Sequence, residues 1–232
     1  MIYNGKKINF IDPAITNSLN PHKNSKGFCN AICPDQVCGT ITKINSKNIS
    51  TNLNNRRINP RMYDFDYDKI QGDNYIVFIL ESPHIDEFDI QKQIPIGPAQ
   101  GNTGDNINNF LRDVIEGSPM FLRSLQMNST YSLVLINAVQ YQASQGTKPL
   151  DRKLTDKNWI DFWNKNFKND LIKRIKEIIK KSNDCKIINL CTLGHSGLHY
   201  FVNAELRVNG LSFYEGYHPS RNWAIPQRRK IW

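Results

Sequence analysis

The chain of 232 residues has no apolar run approaching the roughly 18 residues that a membrane span requires. Its opening, MIYNGKKINF, is too short and too polar for a signal peptide, so the expectation is a soluble, cytoplasmic protein with no membrane partner. Acidic side chains are scarce at one end. Residues 1–62 hold nine Lys or Arg against only Asp12 and Asp35. Cysteine is scarce as well, and its count of five is odd, which argues against a disulfide framework. What is plentiful is core material: 39% of the residues are hydrophobic, too many for a disordered chain.

The net charge of +9 is therefore concentrated. Beyond residue 62 the 21 basic and 19 acidic residues nearly balance, until Arg221, Arg228, Arg229 and Lys230 close the chain without an acid. Such clusters suit a polyanion, because each neutralised phosphate releases condensed counterions. They suit a solvated surface equally well, and charge alone does not separate the two.

Cys185 and Cys191 bracket the apolar stretch CKIINLC and read as small buried hydrophobes. Cys29, Cys33 and Cys38 crowd into FCNAICPDQVCG, with His22 upstream. Three thiolates and an imidazole make a tetrahedral zinc set, and three thiolates would bind part of an iron–sulfur cluster. The spacing matches no knuckle motif, so free thiols are the alternative.

Residues 1–62, rich in Asn, Lys and Ser, read as a basic, loop-rich N-terminal extension. Residues 63–232 read as an α/β domain. YIVFIL, YSLVLIN and CKIINLCTL are short apolar runs typical of strands buried on both faces, and LSFYEGY is a weaker fourth. Between them, DNINNFLRDVIE (105–116) carries one apolar stripe, and residues 155–181 repeat Trp159, Trp163, Phe167, Leu171, Ile175 and Ile179 at i+4. Those tryptophans are expected in the core. Residues 195–206 suggest a further helix. The alternation predicts a three-layer α/β/α fold around a central, mostly parallel four-stranded sheet.

Ligands of such sheets bind outside the carboxyl ends of the strands. That rule selects ESPH after the first strand, NAVQ after the second, GHSG after the third and YHPS after the fourth. Glu81 there can orient or deprotonate a water. Asn137 offers donors and an acceptor suited to a nucleobase edge, although a lone Asn more often closes a turn. GPAQGNTG, opening a helix, lets backbone N–H groups approach a phosphate or a base oxygen.

Taken in order, Leu80-Glu81-Ser82-Pro83-His84, Gly97 to Gly104, Leu135-Ile136-Asn137-Ala138-Val139, Leu193-Gly194 and His218-Pro219-Ser220 resemble the motifs of the uracil-DNA glycosylase superfamily. The resemblance covers about residues 75–223. It implies an enzyme that flips a damaged or modified base out of DNA and hydrolyses its N-glycosidic bond, in repair or in defence against foreign DNA. It implies catalysis by Glu81, on water or the sugar cation, and by His218, on the charge of the leaving base. It needs no cofactor and implies a monomer. Asn137, His84, Ala99 and Gly97 would surround the base. Gly194, His195, Ser220, Arg221, Trp223, Arg228 and Arg229 would meet DNA, with Trp223 or Ile225 filling the gap left by the flipped base.

Several positions depart from the family pattern. Ser82 stands at the slot of a catalytic aspartate, His84 at that of a pocket-closing tyrosine, and Ala99 at that of a stacking phenylalanine. Fewer aromatic walls imply a roomier pocket, suited to a pyrimidine with a C5 substituent. Two other classes stay open: a non-catalytic nucleic-acid binder of the same fold, and an enzyme acting on a free nucleotide.

Overall fold

The computed structural model describes residues 2–3, 6–7, 29, 31–54, 64–70, 72–142, 152–191 and 197–232. Its centre is a six-stranded mixed sheet. The strands are β1 (Gln36–Lys43), β2 (Ile49–Leu53), β3 (Asn74–Leu80), β4 (Thr130–Asn137), β5 (Asp184–Asn189) and β6 (Tyr214–Glu215). Their order across the sheet is β6-β5-β3-β4-β1-β2. The four expected strands are present and mutually parallel.

The strand count is corrected from four to six, because the stretch read as loop-rich adds an antiparallel pair. Its composition hid a hairpin. QVCGTITK buries alternate residues, and Asn45 Oδ1 accepts the backbone N–H groups of Lys47 and Asn48 to fold the turn into β2.

β3 explains the layering. All six residues of YIVFIL are buried, and their side chains alternate between two cores. Tyr75, Val77 and Ile79 face α3 (Arg152–Phe162), α4 (Lys168–Lys181) and α5 (Leu198–Val208). Ile76, Phe78 and Leu80 face α1 (Asn102–Glu116) and α2 (Pro119–Ser124). Trp159 and Trp163 are core residues, stacked with ring centroids 5.1 Å apart. A repeat of four drifts off the face of a helix with 3.6 residues per turn. A π-turn over Trp163–Phe167 absorbs part of the drift. Beyond it the stripe ends on buried Ile178, leaving the expected Ile179 exposed.

At the β6 edge the last residues fold back: Glu215 and Trp232 exchange backbone hydrogen bonds of 2.8 Å each. Among the described residues, no helix is long and apolar enough to cross a membrane.

Candidate active site

The chain turns from β3 to β4 on one side and then crosses over to β5 on the other, so the sheet reverses its order of winding between β3 and β5. Leu80 pairs with Asn137 and Ile79 with Asn189, which brings the strand ends out level. A cavity of about 370 Å³ opens there. Glu81, His84, Asn137, His218 and Ser220 all line it, joined by Glu87 and by Gly101–Thr103 at the start of α1. Five residues expected from separate segments of the sequence thus share one wall.

Glu81 is held by its backbone. Its carbonyl accepts the Trp159 indole N–H at 2.9 Å and the Val139 N–H at 3.1 Å, so the helix layer and the β4 end both fix the turn. Glu81 itself is one of the residues that line the cavity.

His218 begins the short helix α6 (Pro219–Asn222), with Pro219 in the first turn, where a missing N–H is harmless. Its Nδ1 accepts the Ser220 N–H at 3.3 Å and lies 3.0 Å from the Ser220 hydroxyl. A backbone N–H can only donate, so the neutral ring carries its proton on Nε2. Burial pushes the pKa of His218 down to about 4, which keeps the imidazole neutral at physiological pH. Asn106 of α1 ties the turn down, its Nδ2 donating to the carbonyls of Pro219 and Ser220 at 2.8 Å each.

Asn137 is buried, only 2% exposed. Its backbone carbonyl accepts Arg174 at 3.0 Å, and its Nδ2 donates to Glu87 Oε2 at 3.4 Å. Its Oδ1, itself buried, has no hydrogen-bond partner among the described residues. An acceptor buried without a donor is costly, and in a cavity wall it marks where a ligand's donor belongs.

Glu87 is the residue that sequence reasoning missed. It follows ESPHID at the end of a single 3₁₀ turn (Ile85–Glu87), with no motif to flag it, yet it is 6% exposed. Its Oε1 accepts the Ala99 N–H at 2.9 Å, and its main-chain carbonyl accepts from Ile96. Ala99 adopts a left-handed φ of 56° to present that N–H, the kind of local strain that collects at functional sites. Gly97 is fixed by space: a Cβ there would lie 2.3 Å from the Gln36 side chain. Neither Gly97 nor Ala99 lines the cavity, so both act behind its wall rather than against a base.

Other expected residues fall elsewhere. Trp223, read as a wedge, is fully buried, its indole donating to the Tyr217 carbonyl and its ring edge-on to Phe78. The aromatic ring gains more from the core than from the surface, and exposed Ile225 is left at that loop. Arg229 pairs with Asp113 at 2.8 Å and sits 3.9 Å above the Phe110 ring, so it fastens the chain end to α1. Arg228 is exposed, donating to Asn222. His84 is exposed at the rim, 3.2 Å from Asp86. Gly194, His195 and the side chain of Arg221 lie outside the described residues.

Cys29 and Cys33 share a small apolar cluster with Phe88 and Ile94, whereas Cys38 packs in the α1-side core. Burial pushes the Cys29 thiol up to about 11. Among the described residues no three His, Cys, Asp or Glu side chains converge to hold a metal, and His22 lies outside them.

A second polar assembly backs the cavity. Arg174 of α4 donates to both oxygens of Asp35 at 2.9 and 2.8 Å, and Gln140 and Tyr67 donate to the same carboxylate. Burial opposes the charge on Arg174, but Asp35, Tyr67 and Asp170 outweigh it and hold the guanidinium protonated.

Comparison with models of protein families, with curated proteins and with solved structures finds no match to this chain.

Proposed function

We propose that this protein is a DNA glycosylase, a divergent relative of the uracil-DNA glycosylase superfamily, that excises a flipped-out base. The observation that carries the reading is the convergence of Glu81, Asn137 and His218 on one cavity at the strand ends, with the Asn137 Oδ1 unpaired among the described residues. At about 370 Å³ the cavity falls in the size range of preformed small-ligand sites, with room for a base and its substituents.

In the reaction the N-glycosidic bond breaks, the base leaves with the bonding pair, and the sugar passes through an oxocarbenium-like cation. Glu81 stabilises that cation and takes a proton from the water that adds to C1′. The Nε2–H of neutral His218 donates to the oxygen on which the base's charge develops. Trp159, Val139 and Ser220 act through these two groups by fixing their positions.

The test is incubation with oligonucleotides bearing damaged or modified bases, followed by alkaline cleavage at abasic sites. Strand scission for at least one base, abolished in the Glu81→Gln variant, is the expected result. Scission for none, with free nucleosides hydrolysed instead, would favour the free-nucleotide enzyme. The burial of Trp223, which removes one wedge from the duplex-facing loop, already leans toward that second reading.

A further inference from the structure

Building on the base-excision reading, we infer that the cavity takes a cytosine-type base, with an exocyclic amino group at C4, in preference to a uracil-type base. Three neighbouring groups carry this. Glu87 Oε1 accepts the Ala99 N–H, and its Oε2 accepts Asn137 Nδ2. A carboxylate that accepts at both oxygens obliges the amino end of the Asn137 amide to face it. The Oδ1 end is thereby left as the group without a partner among the described residues, on a cavity-lining residue that is only 2% exposed. Glu81, Asp86 and Glu87 line the same cavity, and among the described residues no lysine or arginine joins them. At the Asn137 wall the unfilled hydrogen-bonding capacity is therefore an acceptor's.

A 4-amino pyrimidine brings two N–H donors to such a wall. A 4-oxo pyrimidine brings one, the ring N3–H, flanked on each side by carbonyl oxygens that would face further acceptors. His218 is compatible with either ring, because its Nε2–H meets the O2 oxygen that both rings share. The discriminating position is C4, and Glu87 sets it indirectly by choosing which end of Asn137 faces the ligand.

The geometry also gives a way to reverse the preference. In Glu87→Gln the new amide keeps its oxygen on the Ala99 N–H and must turn its NH₂ toward Asn137. Asn137 then rotates to accept with Oδ1, and Nδ2 faces the cavity as a donor. The variant should favour a 4-oxo base.

The experiment uses the full chain and single-stranded oligonucleotides differing at one base: cytosine against uracil, and 5-hydroxymethylcytosine against 5-hydroxymethyluracil, with released bases read by mass spectrometry. Within whichever pair is cleaved, the amino member should be released at least about tenfold faster, the factor expected when one buried hydrogen bond is made or lost. Glu87→Gln should narrow or invert that ratio, whereas a purely structural role would slow both members alike. Asn137→Asp, which keeps an acceptor and discards the donor, should retain the amino preference even if Glu87→Gln fails to fold.

Equal or faster release of the 4-oxo member overturns this inference and leaves the glycosylase reading standing. Release of no base from any oligonucleotide overturns the glycosylase reading instead. The inference is then decided by binding of cytidine against uridine in a thermal-shift titration, where equal shifts would end it.

Discussion

Asn137 stands between two polar assemblies that differ in one respect. Behind it, Asp35, Arg174, Tyr67 and Gln140 form a buried network in which the carboxylate has a donor from each of its three neighbours. In front of it, Glu87 and the Asn137 side chain form a second buried set that leaves Oδ1 unanswered. Both sets desolvate charged or polar groups at the end of the same strand. The saturated one fixes the backbone, through Arg174 on the Asn137 carbonyl. The unsaturated one faces a cavity. Saturation is what a structural network achieves, and an unpaired acceptor is what a binding wall offers to a ligand's donor.

Breaking the rear network should give the largest effect. Arg174→Met leaves Asp35 buried and unpaired and should cost about 3–5 kcal/mol of unfolding free energy, read as a lower urea midpoint. The double variant Asp35→Leu, Arg174→Met should recover most of that loss, since no charge is then stranded. A single variant with wild-type stability would show that the rear pair is not the brace it resembles.

On the glycosylase reading, the cavity in front of Asn137 should respond in rate rather than in stability. His218→Ala removes a donor aimed at developing charge and should slow base release by on the order of 10²–10³. Its urea midpoint should stay close to that of the wild type. A collapse of stability with little change in rate would move His218 into the scaffold class.

The smallest effect lies in the pH dependence of stability. His218 has its pKa depressed to about 4 from an ordinary value of 6.5, so between these values the unfolded chain binds a proton that the folded chain does not. Its contribution is therefore fully present above pH 6.5 and is lost as pH falls toward about 4. His218→Gln should flatten the urea midpoint over that window, and an unchanged slope would mean that other groups set it.

How legible all this was depended on where the signal lay. YIVFIL and YSLVLIN announced themselves because strands buried on both faces need uninterrupted apolar runs. Once the strands were placed, the carboxyl-end rule found Glu81, Asn137 and His218 without knowledge of any side-chain contact. The β1–β2 hairpin escaped because an edge pair with one solvated side tolerates Asn, Lys and Ser, which read as loop. Glu87 escaped for a deeper reason: its burial is made by Ala99 and Asn137, partners 12 and 50 residues away, and nothing local encodes that. Trp223 misled because an aromatic residue in a loop looks available until the layer beneath it is known. The π-turn similarly shifted Ile178 inward where a regular repeat had pointed to Ile179.

The paired backbone of Glu215 and Trp232 has a consequence for behaviour at high concentration. A sheet of this width has two borders, and an open border is a template onto which another chain can add and propagate. At one border Gly216 and Ile231 form a further antiparallel bridge, so the chain's own last residues occupy the positions that a second molecule would seek. At the other, the strand ISTNL is five residues long and turns Ser50 and Asn52 outward, a short polar border that gives little purchase. Deleting Ile231 and Trp232 would uncover the first border, and self-association of the truncated chain, absent in the intact one, is the mark that this closure guards against aggregation.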